Sequence, residues 1–249
     1  EYFNFNFKKD VLRLQKDDLV NFVNSIESRE SYQIIKSLME IMEYDDQVFV
    51  DDSIRELSTI KKTNELFFNV SFDKDFLTSF KGKWERNQFK FILIDGFIDT
   101  VSEIHHLLHK ASEDKEPYII FCKGMREEVK QTILYNLQRN TIDVLPVSLE
   151  TNEENVNILN DIASCLGADT VSSHKGDVIS VEVRRDLKIG EKIRVSKKGF
   201  YLKNENEEKI KRQLVYLKNK LNSINFSDPN FKYINKRIKT LQSKKIEVL

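Results

Sequence analysis

Between residues 89 and 173 the chain alternates regularly, and this order constrains its fold more than any other feature. The short β-branched and aromatic runs FKFILID (89–95), PYIIFC (117–122), IDVLPVSL (142–149) and DTVSS (169–173) are separated by three stretches with helical spacing of apolar residues. Those stretches are TVSEIHHLLHKAS (100–112), REEVKQTILYNLQRN (126–140) and NEENVNILNDIASCLG (152–167). Parallel strands need a crossover of a dozen or more residues, usually a helix, so the order predicts βαβ units on a largely parallel sheet. Thr151 and Glu154 stand at capping-box spacing for the third helix, and Gly167 is placed to stop it.

The two ends read differently. SRESYQIIKSLMEIM (28–42) carries Ile34, Ile35, Leu38, Met39 and Met42 at helical spacing, and QVFV (47–50), IRELSTI (54–60) and ELFFNVSF (65–72) read as strands. Beyond the alternation come KIRVS and GFYL as strands, then two charged helices at 205–223 and 229–242, the second with Asp228 as N-cap and Pro229 at N1. Long charged helices with little apolar surface suggest that residues 1–67 and 193–249 form one small, discontinuous α+β domain, with the α/β unit 68–192 inserted into it. Asn69 and Gly190 sit near the two crossings. Both residue types tolerate positive φ, which makes them hinge candidates, or an ordinary loop asparagine and turn glycine.

Composition narrows the function classes. Lys plus Arg and Asp plus Glu each count 40, so the net charge gives no reason to expect nucleic acid or an anionic membrane as the main partner. The two cysteines, Cys122 and Cys165, lie in apolar runs outside any C-x-x-C, which fits a reducing compartment. No apolar run approaches the roughly 18 residues a spanning helix needs. The start EYFNFNF, with neither an initiator Met nor a signal-peptide pattern, suggests an excised fragment or a mature chain.

Three features invite a chemical reading. His105, His106 and His109 fall within five positions, and His105 with His109 and Glu113 lies along one side of a helix, as metal ligands would. The motif lacks the glutamate of H-E-x-x-H, and a polar flank of a half-exposed helix is the better default. With 7 glycines and no G-x-x-x-x-G-K-[ST], G-x-G-x-x-G or G-x-S-x-G, the sequence contains no phosphate cradle or nucleophile elbow. Cys122, in YIIFC, reads as a small buried hydrophobe rather than a nucleophile. The third feature is surplus apolar surface. Val129, Ile133 and Leu137 make the stripe that faces a sheet, while Leu134 lies off it and Tyr135 nearly opposite; on the preceding helix Val101 and Leu108 widen the arc toward His105. These extras line a shared binding groove, or else FLTSF (76–80) covers them.

In order and spacing these segments resemble the apical domain of group I chaperonins, the GroEL type. FFNVSFDKDFLTSF is similar to that family's Phe-Asp-Arg-Gly-Tyr-Leu-Ser-Pro-Tyr-Phe segment, and LNDIASCLGA to its Leu-Gln-Asp-Ile-Ala-x-Leu-Thr-Gly-Gly. RESYQIIKSLMEIM with QVFVDDS, and FKYINKRIKTLQSKKIEVL, resemble its intermediate-domain flanks. The resemblance implies a GroEL-like apical domain of βαβ units with two parallel groove helices, inserted in a smaller α+β intermediate domain. It places the groove for unfolded polypeptide and for the co-chaperonin mobile loop on Phe76, Phe80, Leu108, Leu134 and Tyr135. Lys81, His105 and Lys130 stand where the family has Phe, Leu and Leu, which makes the groove more polar, and SLETNEEN replaces Lys-Ala-Pro-Gly-Phe-Gly.

The resemblance further implies that this chain is non-catalytic and holds no cofactor or metal. ATP and Mg would belong to an equatorial domain whose Asp-Gly-Thr-Thr-Thr motif is not found here. Expected partners are unfolded proteins and a GroES-type co-chaperonin in a heptameric ring, within a mitochondrial or plastid-type organelle or alternatively the bacterial cytoplasm. Two other readings stay open: a stand-alone chaperonin-like binding protein without ATPase activity, and a metal-dependent enzyme using the histidines.

Overall fold

The computed structural model describes residues 29–41, 47–50, 60–70, 72–149, 152, 155, 157–243 and 245–248. In chain order the first elements are α1 (Arg29–Ile41), β1 (Gln47–Val50), β2 (Ile60–Thr63), β3 (Glu65–Phe68), α2 (Asp75–Ser79), β4 (Lys83–Ile98), α3 (Val101–Asp114), β5 (Pro117–Met125) and α4 (Glu127–Gln138). They are followed by β6 (Asp143–Ser148), α5 (Ile158–Cys165), α6 (Ile179–Glu182), β7 (Ile189–Ser196), β8 (Gly199–Lys203), α7 (Glu207–Asn222), α8 (Pro229–Gln242) and β9 (Lys245–Val248). The expected capping pair Thr151 and Glu154, and residues 54–59 of the expected strand 54–60, lie outside the described residues. No helix among the described residues is long and apolar enough to cross a membrane.

Two compact units divide the chain, Glu1–Thr63 with Ile246–Leu249, and Asn64–Lys245. The smaller holds α1 and a three-stranded sheet in the order β1-β9-β2. The larger is built on a six-stranded sheet in the order β3-β8-β7-β4-β5-β6. Its boundaries differ from the expected 68–192 because the charged C-terminal helices pack within it. Ile210 and Leu217 of α7, with Ile234, Ile238 and Leu241 of α8, join the same buried cluster as β3 and α5. A narrow apolar stripe suffices to seat a helix whose other faces are charged.

The sheet is only partly parallel. β4, β5 and β6 run parallel, as the βαβ order requires, but β3, β8, β7 and β4 are joined by antiparallel pairings. The long β4 makes both possible. Its N-terminal half, Lys83–Phe89, pairs with β7, and from Lys90, where that register ends, the strand pairs with β5. Its first six residues, Lys83–Gln88, are polar apart from the sealed Trp84, which hides them from a hydrophobicity pattern. The expected strand DTVSS reduces to one parallel bridge at Val171, whose N–H donates to Leu93 O at 2.7 Å and whose carbonyl accepts from Asp95 N at 2.8 Å. The β7–β8 hairpin closes on Gly199 at φ +136°, where a Cβ would stand 2.2 Å from the Phe68 carbonyl oxygen, so only glycine fits.

Consecutive residues Phe91–Ile94 of β4 and Tyr118–Cys122 of β5 are buried, which requires cover on both faces of the sheet. The crossover helices α3 and α4 supply one layer. The helices α5, α7 and α8, which pack on one another, supply the other.

Candidate functional site

α3 and α4 lie side by side. α3 starts where the Glu103 carboxylate accepts from the backbone N–H groups of Asp99 at 2.7 Å and Thr100 at 2.9 Å, and it ends at Lys115 in the left-handed region, φ 57°. Ile104, Leu107 and Ala111 are sealed inward and Leu108 nearly so, which leaves His105, His106 and His109 in solvent. α4 buries Val129, Ile133 and Leu137 and leaves Leu134 half-buried. Tyr135 is 58% exposed. Its hydroxyl accepts from Arg139 Nη1 at 2.9 Å, and the same guanidinium lies 5.3 Å from its ring centroid. A shallow recess on this face is lined by Glu128, Gln131, Thr132, Leu134, Tyr135 and Gln138, so two apolar side chains sit within a polar, mostly uncharged rim.

α2 packs against the other flank of α4. The Lys130 ammonium bonds the Asp73 carboxylate just before α2, with side-chain exposures of 23% and 18%. Burial pushes Asp73 upward, but the bonds from Lys130 and from the Asp75 N–H outweigh it and hold the carboxyl below its ordinary value; the bond from Asp73 in turn raises Lys130. Lys130 is thereby drawn away from the recess rather than presented as a bare cation. Phe76 is completely buried, and Phe80 is half-buried against Trp84, ring centroids 6.3 Å apart, with Arg86 over it at 5.9 Å. Lys81 is exposed in the turn after α2 at φ 56°.

The eight expected groove residues thus fall on three neighbouring segments but not on one open surface. Leu134, Tyr135 and His105 face solvent at least in part, Leu108 is nearly covered, and Phe76 belongs to the core. The hinge candidates lie elsewhere. Gly190 is inside β7, opposite Phe89, where a Cβ would stand 2.4 Å from that ring, and neither it nor Asn69 has a positive φ. Packing against Phe89 explains the glycine without invoking motion.

The histidines form no converging set. Ring centroids of His105 lie 5.8 Å from His106 and 6.3 Å from His109, and His109 Nδ1 faces Glu113 at 3.2 Å in solvent. Among the described residues no three His, Cys, Asp or Glu side chains are arranged to hold a metal. His106 is held below its ordinary value by desolvation first, then by Arg184 and its histidine neighbours. Cys122 is fully buried, and burial pushes its thiol up to about 11, against the modest help of Ser148. Two partners of the face escaped the sequence reading. Arg139 stands four residues after Tyr135, a spacing that could have flagged it. Asp73, 57 residues from Lys130, gave no signal.

No protein-family model matches the chain. Curated relatives do: the chaperonin GroEL of Mycoplasma pneumoniae is 25% identical over 174 residues, covering 64% of this chain and 32% of that one. The chaperonin GroEL of Methanoregula boonei is 22% identical over 208 residues, 80% of this chain and 37% of that one. Among solved structures, the chaperonin gp146 of bacteriophage EL, crystallised with ATP-BeFx, superposes with a TM-score of 0.65 at 15% identity, over 92% of this chain and 46% of its own. This is a divergent chain of GroEL-type chaperonin fold. The GroEL-like chain spans about a third of the length of the curated relatives it matches. The positive-φ glycines, Gly82, Gly167, Gly176 and Gly199, stand in four separate turns rather than in one loop leading to a helix N-terminus.

Proposed function

We propose that this chain is the polypeptide-binding part of a chaperonin, and that its α3–α4 face holds exposed apolar segments of unfolded proteins and the mobile loop of a GroES-type co-chaperonin. The observation that supports this most directly is Tyr135 beside Leu134, an exposed aromatic and a half-buried leucine on the outer side of a helix whose inward stripe is already satisfied. ATP and Mg would be handled by a further domain of a longer ring-forming protein, in an organelle or a bacterial cytoplasm. The work of this chain is then non-covalent: apolar contact captures a segment, and a co-chaperonin loop competing for the same face releases it.

His105 and Lys130 tune the face. A neutral or charged imidazole beside Leu108 weakens apolar contact, and the Asp73 bond keeps Lys130 from repelling a chain seated between α3 and α4. The test is fluorescence anisotropy of a labelled apolar peptide, unstructured in water, titrated with the chain. Losing the Tyr135 contact removes on the order of 1.5–3 kcal/mol, so Tyr135→Ala should weaken binding about tenfold or more, and His105→Leu should strengthen it. Unchanged affinity in both variants would remove the reading. Calorimetry with ATP and Mg should show no binding to this chain; stoichiometric binding would favour a nucleotide-dependent function instead.

A further inference from the structure

A second concave surface lies on the other helical layer. An open trough of about 510 Å³ runs between α5 and α7 and ends at the loop Ala168–Thr170. One wall is a stripe along α7, Lys209, Arg212, Gln213, Tyr216 and Lys220; the facing wall presents Asn160 and Ser164 of α5 and Asn157 just before it, and Lys175 also lines the trough. The floor is rigid, because buried Arg237 is fixed by two bonds to Asp161 at 2.7 and 2.8 Å.

The charge here is one-sided. Residues 206–243 hold nine Lys or Arg against Glu207, Glu208 and Asp228, in a chain whose total is 40 against 40. Lys220, which lines the trough, has no acidic partner among the described residues, and neither do Lys211, Lys218, Lys232 and Lys239 outside it. Within the trough Arg212 pairs with Glu208 at 3.5 Å and Lys209 with Asp169 at 3.7 Å, but the carboxylates are 83% and 90% exposed, so both contacts are screened and exchangeable.

We propose that this trough docks an extended, acidic polypeptide segment, at a site separate from the α3–α4 face. From Lys209 to Lys220 the stripe advances about 16 Å at 1.5 Å per helical residue, the length of about five residues of extended chain. Cations along one wall match acidic side chains. The amides of Asn157 and Asn160 match a peptide backbone, since each offers both a donor and an acceptor. A nucleic-acid strand fits less well: among the described residues Tyr216 is the sole aromatic lining the trough, where a run of bases needs a row of stacking surfaces. A bilayer is flat, whereas this surface is concave.

The test uses the whole 249-residue chain and a fluorescein-labelled octapeptide rich in Asp and Glu, followed by anisotropy at low salt. Saturable binding is expected, weakened at least tenfold by Arg212→Glu combined with Lys220→Glu, and weakened again by raising the salt. A lysine-rich octapeptide should not bind. Failure of the acidic peptide to bind, or indifference to the charge reversal, overturns the proposal. Tighter binding of an oligodeoxythymidine of equal length, or of vesicles of anionic lipid, overturns it in favour of another polyanion. Both substituted side chains are exposed, and fluorescence of the buried Trp84 verifies that the variant folds. The reversal should leave capture of the apolar peptide at Tyr135 unchanged, so either site can fail without the other.

Discussion

Replacing Asp161 by Ala is the sharpest test of how the larger unit holds its helical layer. Asp161 on α5 is 1% exposed and Arg237 on α8 is 8% exposed at the side chain. The carboxylate accepts from Arg237 Nε at 2.7 Å and Nη2 at 2.8 Å, and from Gln213 Nε2 on α7 at 2.8 Å, so one side chain ties three helices. Truncating it leaves the guanidinium buried without its counter-charge. Breaking such a pair from one side costs about 3–5 kcal/mol, a large share of the roughly 5–15 kcal/mol that holds a domain together. At about 2–4 °C per kcal/mol for a unit of this size, the melting temperature should fall by about 6–20 °C. Urea unfolding can be followed through Trp84, the only tryptophan, which is fully buried in the same unit. The midpoint should drop with little change in slope. Asp161→Leu with Arg237→Met removes both charges and should recover most of the loss, because an apolar pair of similar volume needs no desolvation. A loss under about 1 kcal/mol for Asp161→Ala, or a double variant as unstable as the single, would refute the reasoning.

Three further outcomes are expected. Burial pushes Glu65 upward, yet bonds from Lys192 and Arg194 hold its carboxyl below the ordinary 4.5, as Lys130 holds Asp73 below 3.8; folded values that are depressed give stability present above the unfolded values and lost as pH falls through the folded ones, so acid unfolding should begin below about pH 4.5 and be shallower in Asp73→Asn. Gly199→Ala forces a Cβ against the Phe68 carbonyl and should cost about 2–4 kcal/mol in chemical denaturation, whereas Gly176→Ala, with open space at its Cβ, should cost only the strain of its φ of +83°. Cys122 and Cys165, both buried with thiols pushed upward, should resist iodoacetamide at pH 8 in the native chain and react fully in urea, as read by mass spectrometry.

The central alternation was legible because it rests on local periodicity. FKFILID, PYIIFC and IDVLPVSL declared themselves by β-branched and aromatic content, and the helices between them by apolar spacing. Asp228 and Pro229 were readable for the same reason: the cap is local, and Asp228 accepts from Asn230 N at 2.8 Å. The polar start of β4 was not legible, since its place in the sheet is set by pairing with β7, more than 100 residues away. Nor was DTVSS, whose β-branched Thr170 and Val171 suggested a strand although Val171 makes only one bridge. Of the face, Leu134 and Tyr135 stood out as apolar residues off the buried stripe. Phe76 did not reveal its burial, because a phenylalanine reads the same whether it lines a groove or fills a core.

The sequence alone determined the central strand–helix alternation, the parallel core of the sheet and the surplus apolar surface of α4, all of which depend on residues within a few positions of one another. Only the tertiary structure decided where the units divide, which groove aromatics are reachable, and that Lys130 is engaged by Asp73 and Arg237 by Asp161. Those outcomes depend on contacts 57 and 76 residues apart. Burial and ion pairing are properties of the packed chain, and a charge in the sequence says nothing about its partner until folding brings the two together.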